Sequence, residues 1–368
     1  MAVFEVNLSS LKNNIRYIKT LIGAGTELMA VVKSDAYGLG INKIVKKCME
    51  EGVKSFGVSH LDEVEKVRKI TNEDVKIYYL SPPNRDIFEL AFEGKVIPII
   101  GSFSDLHLLK NVSKRKSKKT AVVHFGIDTG MGRMGFSIDD YITAFEELRD
   151  LKNVKVSGLF SHFHSADEEK DNDTEEQIKI FSEITHKLEN ILGSKLVKHI
   201  SNSAGVFSGK DCLFDMVRCG ISLYGASSGG FAFKGIKRVV SVKSVIASVK
   251  KIPKGHGISY GKTFIAENDM IIGLIDTGYG EGFFRSLSST ADVLVKGQRA
   301  RIVGRVTMDI IIADITNIKN VEAGDEVVII GEQGNECITV EELSQKAGAI
   351  PYEFFCAMGK MMKRNYVE

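Results

Sequence analysis

The run Leu28-Met29-Ala30-Val31-Val32 has the length of a buried strand and ends in Lys33, followed by a Gly-rich turn through Tyr37-Gly38-Leu39-Gly40. A lysine in that place costs stability unless its charge is paired or its pKa is lowered. From the residues alone, Lys33 either snorkels to the surface from a strand end or is a partly desolvated amine kept neutral for Schiff-base chemistry on a carbonyl. Farther along, Asn202-Ser203-Ala204-Gly205 offers a hydroxyl. Arg218-Cys219-Gly220-Ile221 offers backbone N–H groups, with no Cβ at Gly220 to block an approach. Both stretches suit a phosphate. An amine beside a phosphate cradle fits pyridoxal phosphate or a Schiff-base aldolase.

Such residues need a scaffold that gathers strand ends. Leu8, Leu11, Ile15, Ile18 and Ile22 predict an amphipathic helix over 8–22, and residues 41–51 also read as helical. Short apolar strands are expected to end at Lys33 and to run over 56–59, 77–80, 96–100, 121–125, 156–160, 199–203 and 216–218. Helical patterns such as Ile180, Ile184, Leu188 and Ile191 lie between them. Eight strands alternating with helices over roughly 220 residues match a (β/α)8 barrel, whose functional groups collect at the C-terminal strand ends, with phosphate often after strands seven and eight. Alternation alone also allows an open doubly wound sheet, but no GxGxxG follows the first strand. Lys114–Lys119 reads as a solvated helix end. Asp167–Glu176 reads as a loop entering a helix, with Thr174 as its N-cap.

At Ala226-Ser227-Ser228-Gly229-Gly230 the residues become small and flexible. From Arg238 on the chain reads as β-structure, in segments 239–252, 270–276, 291–296, 301–315 and 326–330, closed by a short helical C-terminus. The expected division is a cofactor-binding barrel over 8–228 and a β-rich domain over 229–368 that includes residues 1–7. A length of 368 residues agrees with two domains. A net charge of +2 gives no reason to expect nucleic acid. No apolar run approaches the ~20 residues of a membrane span, and no signal peptide opens the chain. Cys48, Cys212, Cys219, Cys337 and Cys356 are scattered without a CxxC pair, so neither disulfides nor a metal site is indicated and a cytoplasmic setting is expected.

The stretch Ala30–Gly40 resembles the cofactor-lysine motif of the alanine racemase family. So do Asp128-Thr129-Gly130-Met131-Gly132-Arg133-Met134-Gly135, Asn202-Ser203-Ala204 and Met216-Val217-Arg218-Cys219-Gly220-Ile221. Ser259-Tyr260-Gly261, Gly278-Tyr279-Gly280-Glu281-Gly282 and Met308-Asp309 continue the match in the family's order. The resemblance covers nearly the whole chain. It implies a fold-type III pyridoxal-phosphate enzyme, barrel plus β domain, working as a head-to-tail homodimer on a small amino acid. Lys33 would hold the cofactor and act as base on one face of the substrate, and the partner subunit's Tyr260 would act on the other. Racemization requires such a pair, because the Cα proton leaves one side and returns on the opposite one.

The resemblance further implies that Arg218 faces the pyridine nitrogen, where an arginine only donates and so weakens the electron sink. His162 would lie by the ring and orient Arg218. Tyr37, Ser203, Gly220, Ile221 and Tyr352 would bind the phosphate, and Arg133 and the Met308 N–H the substrate carboxylate. Asp167, Tyr279, Arg285 and Arg305 resemble a polar entrance, though the two arginines could equally be rim or interface charges.

The sequence also departs from the family's pattern. Gly126 stands where many relatives carry a lysine modified to a carbamate, so that negative charge beside Arg133 is missing. Thr307 replaces a frequent cysteine, Glu281 and Phe284 replace an aspartate and a proline, and Lys360 and Lys363 stand where arginines are common. The leading expectation is an alanine racemase supplying D-alanine for peptidoglycan. Rivals are a serine or broad-specificity racemase, a pyridoxal-phosphate decarboxylase on the same plan, and a cofactor-binding protein without catalysis. The decarboxylase would need a cysteine in the β domain, where Cys337 and Cys356 lie outside any such motif. The non-catalytic binder would be a bare barrel, lacking a domain like the one that carries Tyr260.

Overall fold

A computed structural model describes residues 2–168, 173–227 and 232–368. Strand β1 (Val3–Asn7) is followed by a helix over Leu8–Ile22. The Asn7 side chain caps this helix by accepting the Ser10 N–H at 2.7 Å, and Gly23, at φ +71°, ends it. Leu8, Leu11, Ile15, Ile18 and Ile22 form its buried stripe.

Eight parallel strands come next: β2 (Glu27–Val31), β3 (Ser55–Val58), β4 (Lys76–Tyr79), β5 (Ile97–Ile100), β6 (Ala121–Gly126), β7 (Val154–Phe160), β8 (Val197–His199) and β9 (Met216–Cys219). Each pairs with its neighbour in chain order as far as β8, and β9 returns to pair with β2. Between β8 and β9 the ring closes through single bonds, Asp215 N–H to Lys198 O and Arg218 N–H to Ser201 O. This is the expected barrel. Met29, Tyr78 and Met216 form a separate apolar cluster with Leu80, Ile97 and Val197.

The β-rich C-terminal region is built on the long strand β10 (Val240–Ile252). β10 pairs antiparallel with β1, with Met270–Asp276 and with Glu326–Gln333. After helices over Val340–Ala347 and Pro351–Met361, the chain does not end helically as expected. Lys363–Val367 forms a strand parallel to β1, because β1 would otherwise leave its outer edge unpaired. The expected single segment over 301–315 is also broken. Gly304 adopts φ +75°, and a turn at Thr307–Ile310 lifts Met308 out before Ile310–Asp314 resumes the sheet. The long helix Thr174–Leu192 has Asp173, not Thr174, in the N-cap position, and Thr174 is its first, fully buried residue. Part of the acidic loop and of the Ala226–Gly230 transition lies outside the described residues. Among those described, no helix is long and apolar enough to cross a membrane.

Candidate active site

Strand β2 stops at Val31, and Lys33 opens a turn of left-handed helix. Ser34, Asp35 and Ala36 lie at φ 54–55° and ψ 46–50°, and Tyr37 at φ 56°. None is glycine, and the left-handed conformation costs such residues roughly 1–2 kcal/mol each. The turn is closed by Ala36 N–H to Val32 O at 2.8 Å and Gly38 N–H to Ser34 O at 2.9 Å. It carries Tyr37 to the loop after β9, where a Cβ on Gly220 would sit 2.5 Å from Tyr37 Oη. Lys33 is partly buried. Burial lowers its pKa, and the cations Arg133 and Arg218 lower it further, while Cys356 and Glu63 oppose them. The neutral, nucleophilic form is thereby more accessible than in a fully solvated lysine.

Ser203 Oγ accepts the Gly220 N–H at 3.2 Å, the Ser222 N–H at 3.3 Å and the Ser222 hydroxyl at 2.9 Å. Its own hydroxyl hydrogen, the Ile221 N–H and the Tyr37 hydroxyl have no protein acceptor among the described residues. Tyr37 packs against Tyr352 with ring centroids 5.5 Å apart. Burial raises the Tyr37 pKa well above its ordinary value, so the phenol stays a donor. Several donors without acceptors, converging where a Cβ has no room, form a cradle for an oxyanion.

Arg218 is 3% exposed. Nη1 donates to His199 O at 2.8 Å and to His199 Nδ1 at 3.1 Å. Nη2 donates to Ser161 O at 2.7 Å, Ile200 O at 2.9 Å and His162 Nδ1 at 3.0 Å. Its plane lies over the Phe160 ring, 4.6 Å from the centroid. Burial, with Arg133 nearby, pulls its pKa down to about 9, which still leaves a cation at pH 7. Only Nε–H lacks a partner among the described residues. Burial and the neighbouring cations Arg218, Arg133 and Lys33 hold His162 well below its usual pKa. It is therefore neutral and accepts from Arg218 at Nδ1, which puts its proton on Nε2.

Lys33, Arg133 and Arg218 press on one another's charge. Among the described residues no carboxylate pairs with Arg133, which is exposed. Gly126, at the end of β6, is tightly packed: a Cβ would meet Ile99 Cγ2 at 3.1 Å and Ile100 O at 3.3 Å, and glycine itself brings no charge to Arg133. The cluster thus awaits anions from outside. Pyridoxal phosphate fits it: the cradle suits its phosphate, the lowered amine its aldehyde, and the Arg218 Nε–H its ring nitrogen.

The other expected site residues lie elsewhere in the chain. Tyr260 is 71% exposed on a 3-10 turn, Tyr279 is 43% exposed, and Met308 is 54% exposed at its turn. Tyr260 follows Ser259, which holds φ +63° and donates its hydroxyl to Arg305 O at 2.6 Å. The Arg305 guanidinium lies over Gly261, Arg285 is exposed and Asp167 is partly buried. No hydrogen bond or ion pair among the described residues joins Tyr260 or Met308 to the Lys33 cluster.

Three side chains of the cluster escaped sequence reasoning. Glu63 and His199 carry no local signal beyond their polarity. Cys356 sits in helix Pro351–Met361, near enough to Lys33 for the ammonium to influence its thiol, which burial keeps protonated; the helical pattern of that segment could have placed it one turn from Tyr352.

Fold and cluster together define a barrel enzyme built on an activated lysine and an anion cradle. The N-terminal domain of alanine racemases matches residues 6–228, and the C-terminal domain matches 239–366. The chain is 36% identical over 364 residues to the alanine racemase of Halothermothrix orenii, covering 98% of this chain and 96% of that one. It is 37% identical over 368 residues to that of Thermodesulfovibrio yellowstonii, covering 99% and 97%. The crystal structure of alanine racemase from Bartonella henselae with covalently bound pyridoxal phosphate superposes with a TM-score of 0.91 at 27% identity, over 100% of this chain and 99% of that one. The chain belongs to the alanine racemase family.

Proposed function

We propose that the chain is a pyridoxal-phosphate-dependent racemase that interconverts L- and D-alanine in the cytoplasm and supplies D-alanine for peptidoglycan. The observation that carries this reading is the partly desolvated Lys33 amine at the start of the turn whose Tyr37 reaches the cradle of Ser203, Gly220 and Ile221, in a chain matched from end to end by alanine racemases. When bound, pyridoxal phosphate supplies a conjugated ring that takes up the electron pair left as an amino acid loses its Cα proton.

The residues of the chain do the rest. Lys33, whose pKa is lowered by burial and by the cations Arg133 and Arg218, would hold the cofactor through its aldehyde and would carry a proton on one face of Cα. The hydroxyls of Ser203, Tyr37 and Tyr352 and the N–H groups of Gly220 and Ile221 hold the phosphate. Arg218, anchored by five contacts, would offer its free Nε–H to the ring nitrogen. Because an arginine donates a hydrogen bond without giving up its proton, it would keep the ring a weak electron sink. His162 fixes Arg218 beside the ring. Arg133 and the Met308 N–H bind the substrate carboxylate.

The second proton carrier is the partner subunit's Tyr260, in a homodimer whose sites are shared. This reading is supported by the exposure of Tyr260 and Met308, two residues that a finished monomer would bury against its own site.

Mixing Lys33→Ala with Tyr260→Phe tests both points. Each variant alone is expected to be inactive. In random hybrids one site of the two is intact, so about a quarter of wild-type activity should return. No recovery after confirmed subunit exchange would place both bases in one chain. Chiral chromatography with alanine, serine, lysine and arginine tests the substrate, and a preference for one of the other three would displace alanine.

A further inference from the structure

We propose that Glu63 is a positioning residue for Lys33: its buried carboxylate holds the start of the left-handed turn and so fixes the amine relative to the Tyr37 hydroxyl at the cradle. The inference rests on the reading of Lys33 as the cofactor lysine.

Glu63 is 3% exposed, and among the described residues no cation forms an ion pair with it. A buried carboxylate of this kind persists only if its oxygens are fully hydrogen-bonded. Oε2 accepts the Ser59 N–H at 2.9 Å and the His60 N–H at 3.1 Å, at the start of helix Leu61–Ile70. That is the ordinary work of a glutamate at the third helical position. Oε1 does something further. It accepts the Ser34 N–H at 2.5 Å and the Asp35 N–H at 3.4 Å, from the two residues that follow Lys33. One carboxylate thus ties the turn that carries the amine to the helix after the next strand.

The far end of the turn has its own braces. The Asp35 carboxylate accepts the Ile41 N–H at 2.8 Å and Arg364 Nη1 at 2.5 Å, and the Tyr366 hydroxyl donates to Leu39 O at 2.9 Å. Glu63 is the brace nearest the amine. Four consecutive left-handed residues persist only where their surroundings hold them, so releasing this end lets Lys33 move relative to Tyr37. The Glu63 charge also favours the protonated amine, against Arg133 and Arg218.

The test compares wild-type holoenzyme with Glu63→Gln, whose amide can accept at one atom only. Cofactor affinity is expected to weaken about tenfold or more, the scale of one or two buried donors left unpaired. The absorbance of the lysine-linked cofactor should titrate at lower pH, and kcat should fall with little change in KM. Adding His60→Ser, which supplies a side-chain helix cap, should recover thermal stability but neither affinity nor the titration. Wild-type affinity and titration in Glu63→Gln, or their recovery with His60→Ser, would overturn the proposal. Should Glu63→Gln not fold, amide exchange of the wild type decides: Ser34 and Asp35 must be protected together with Ser59 and His60, and fast exchange at the first pair alone refutes the brace. Borohydride trapping keeps the two readings apart. Cofactor fixed to a residue other than Lys33 overturns the assignment of Lys33, whereas wild-type behaviour of Glu63→Gln with Lys33 labelled overturns only the role of Glu63.

Discussion

His199 Nε2 and His124 Nδ1 lie 2.7 Å apart in the barrel core, with both side chains essentially inaccessible to water. Arg218 donates to the opposite nitrogen of His199, so His199 Nδ1 accepts and its proton sits on Nε2. His199 then donates to His124, whose own proton is left on Nε2. One arginine therefore sets the tautomers of two buried histidines. The rings of Tyr78 and His124 pack edge-on at 5.1 Å beyond them.

His124→Phe keeps most of the shape but removes the acceptor of the His199 N–H. A buried donor left unpaired costs about 1–3 kcal/mol. Urea titration with unchanged slope should show a loss of that size, and a loss below about 0.5 kcal/mol would mean that the pair contributes nothing net.

The same pair makes the fold acid-sensitive. Burial holds His124 down to about 3, and burial with His124 and Arg218 beside it holds His199 well below its usual value. Below pH 6.5 the unfolded chain binds protons that the native state refuses, so stability falls as pH falls. For His124 alone the step from pH 7 to pH 5 should remove about 2 kcal/mol. Urea midpoints at pH 5, 6 and 7 measure this, and His124→Phe should show a shallower decline than wild type. Equal slopes for the two proteins would contradict the neutral pair.

Gly158, on the neighbouring strand β7, faces the His124 ring: a Cβ there would lie 2.3–2.6 Å from three ring atoms. Gly158→Ala must push His124 aside, at about 1–3 kcal/mol for overpacking. The displacement should reach Arg218 through His199 and alter the absorbance of bound cofactor. A stable variant with an unchanged spectrum would show that the ring moves freely.

At the cradle, Gly220→Ala would bring a methyl group to 2.5 Å from Tyr37 Oη and 2.9 Å from its Cζ. Cofactor affinity should fall by about tenfold or more while the apo-protein loses little stability. Fluorescence titration of apo-protein with pyridoxal phosphate measures it, and wild-type affinity would remove Tyr37 from the proposed phosphate site.

Ser34 offers a test of the strained turn itself. Its side chain is exposed and its φ is +54°. Ser34→Gly should stabilise the protein by about 0.5–1 kcal/mol, opposite to the usual effect of glycine in a helix, and Ser34→Val should destabilise it by at least as much. Thermal melts of the two variants decide, and equal melting points would deny the strain.

The sequence by itself determined the element order of the barrel, because each strand is a short apolar run and each helix a local period of three to four residues. It also singled out Lys33, whose charge at the end of an apolar run is anomalous whatever the fold. Ser203 and Gly220 were legible as turn residues able to meet a phosphate, and the ordered motifs carried the family. Only the tertiary structure decided that Arg218 is gripped by His199, Ser161, Ile200 and His162, all from other strand ends, because closing the ring brings residues 18 to 57 apart in sequence to one point. It also decided that Glu63 reaches back to Ser34 and Asp35, since the register between β2 and β3 sets that distance. No local pattern marks such contacts. A carboxylate accepting four backbone N–H groups looks, in one dimension, like any helix cap, and its second duty exists only where two strand ends meet.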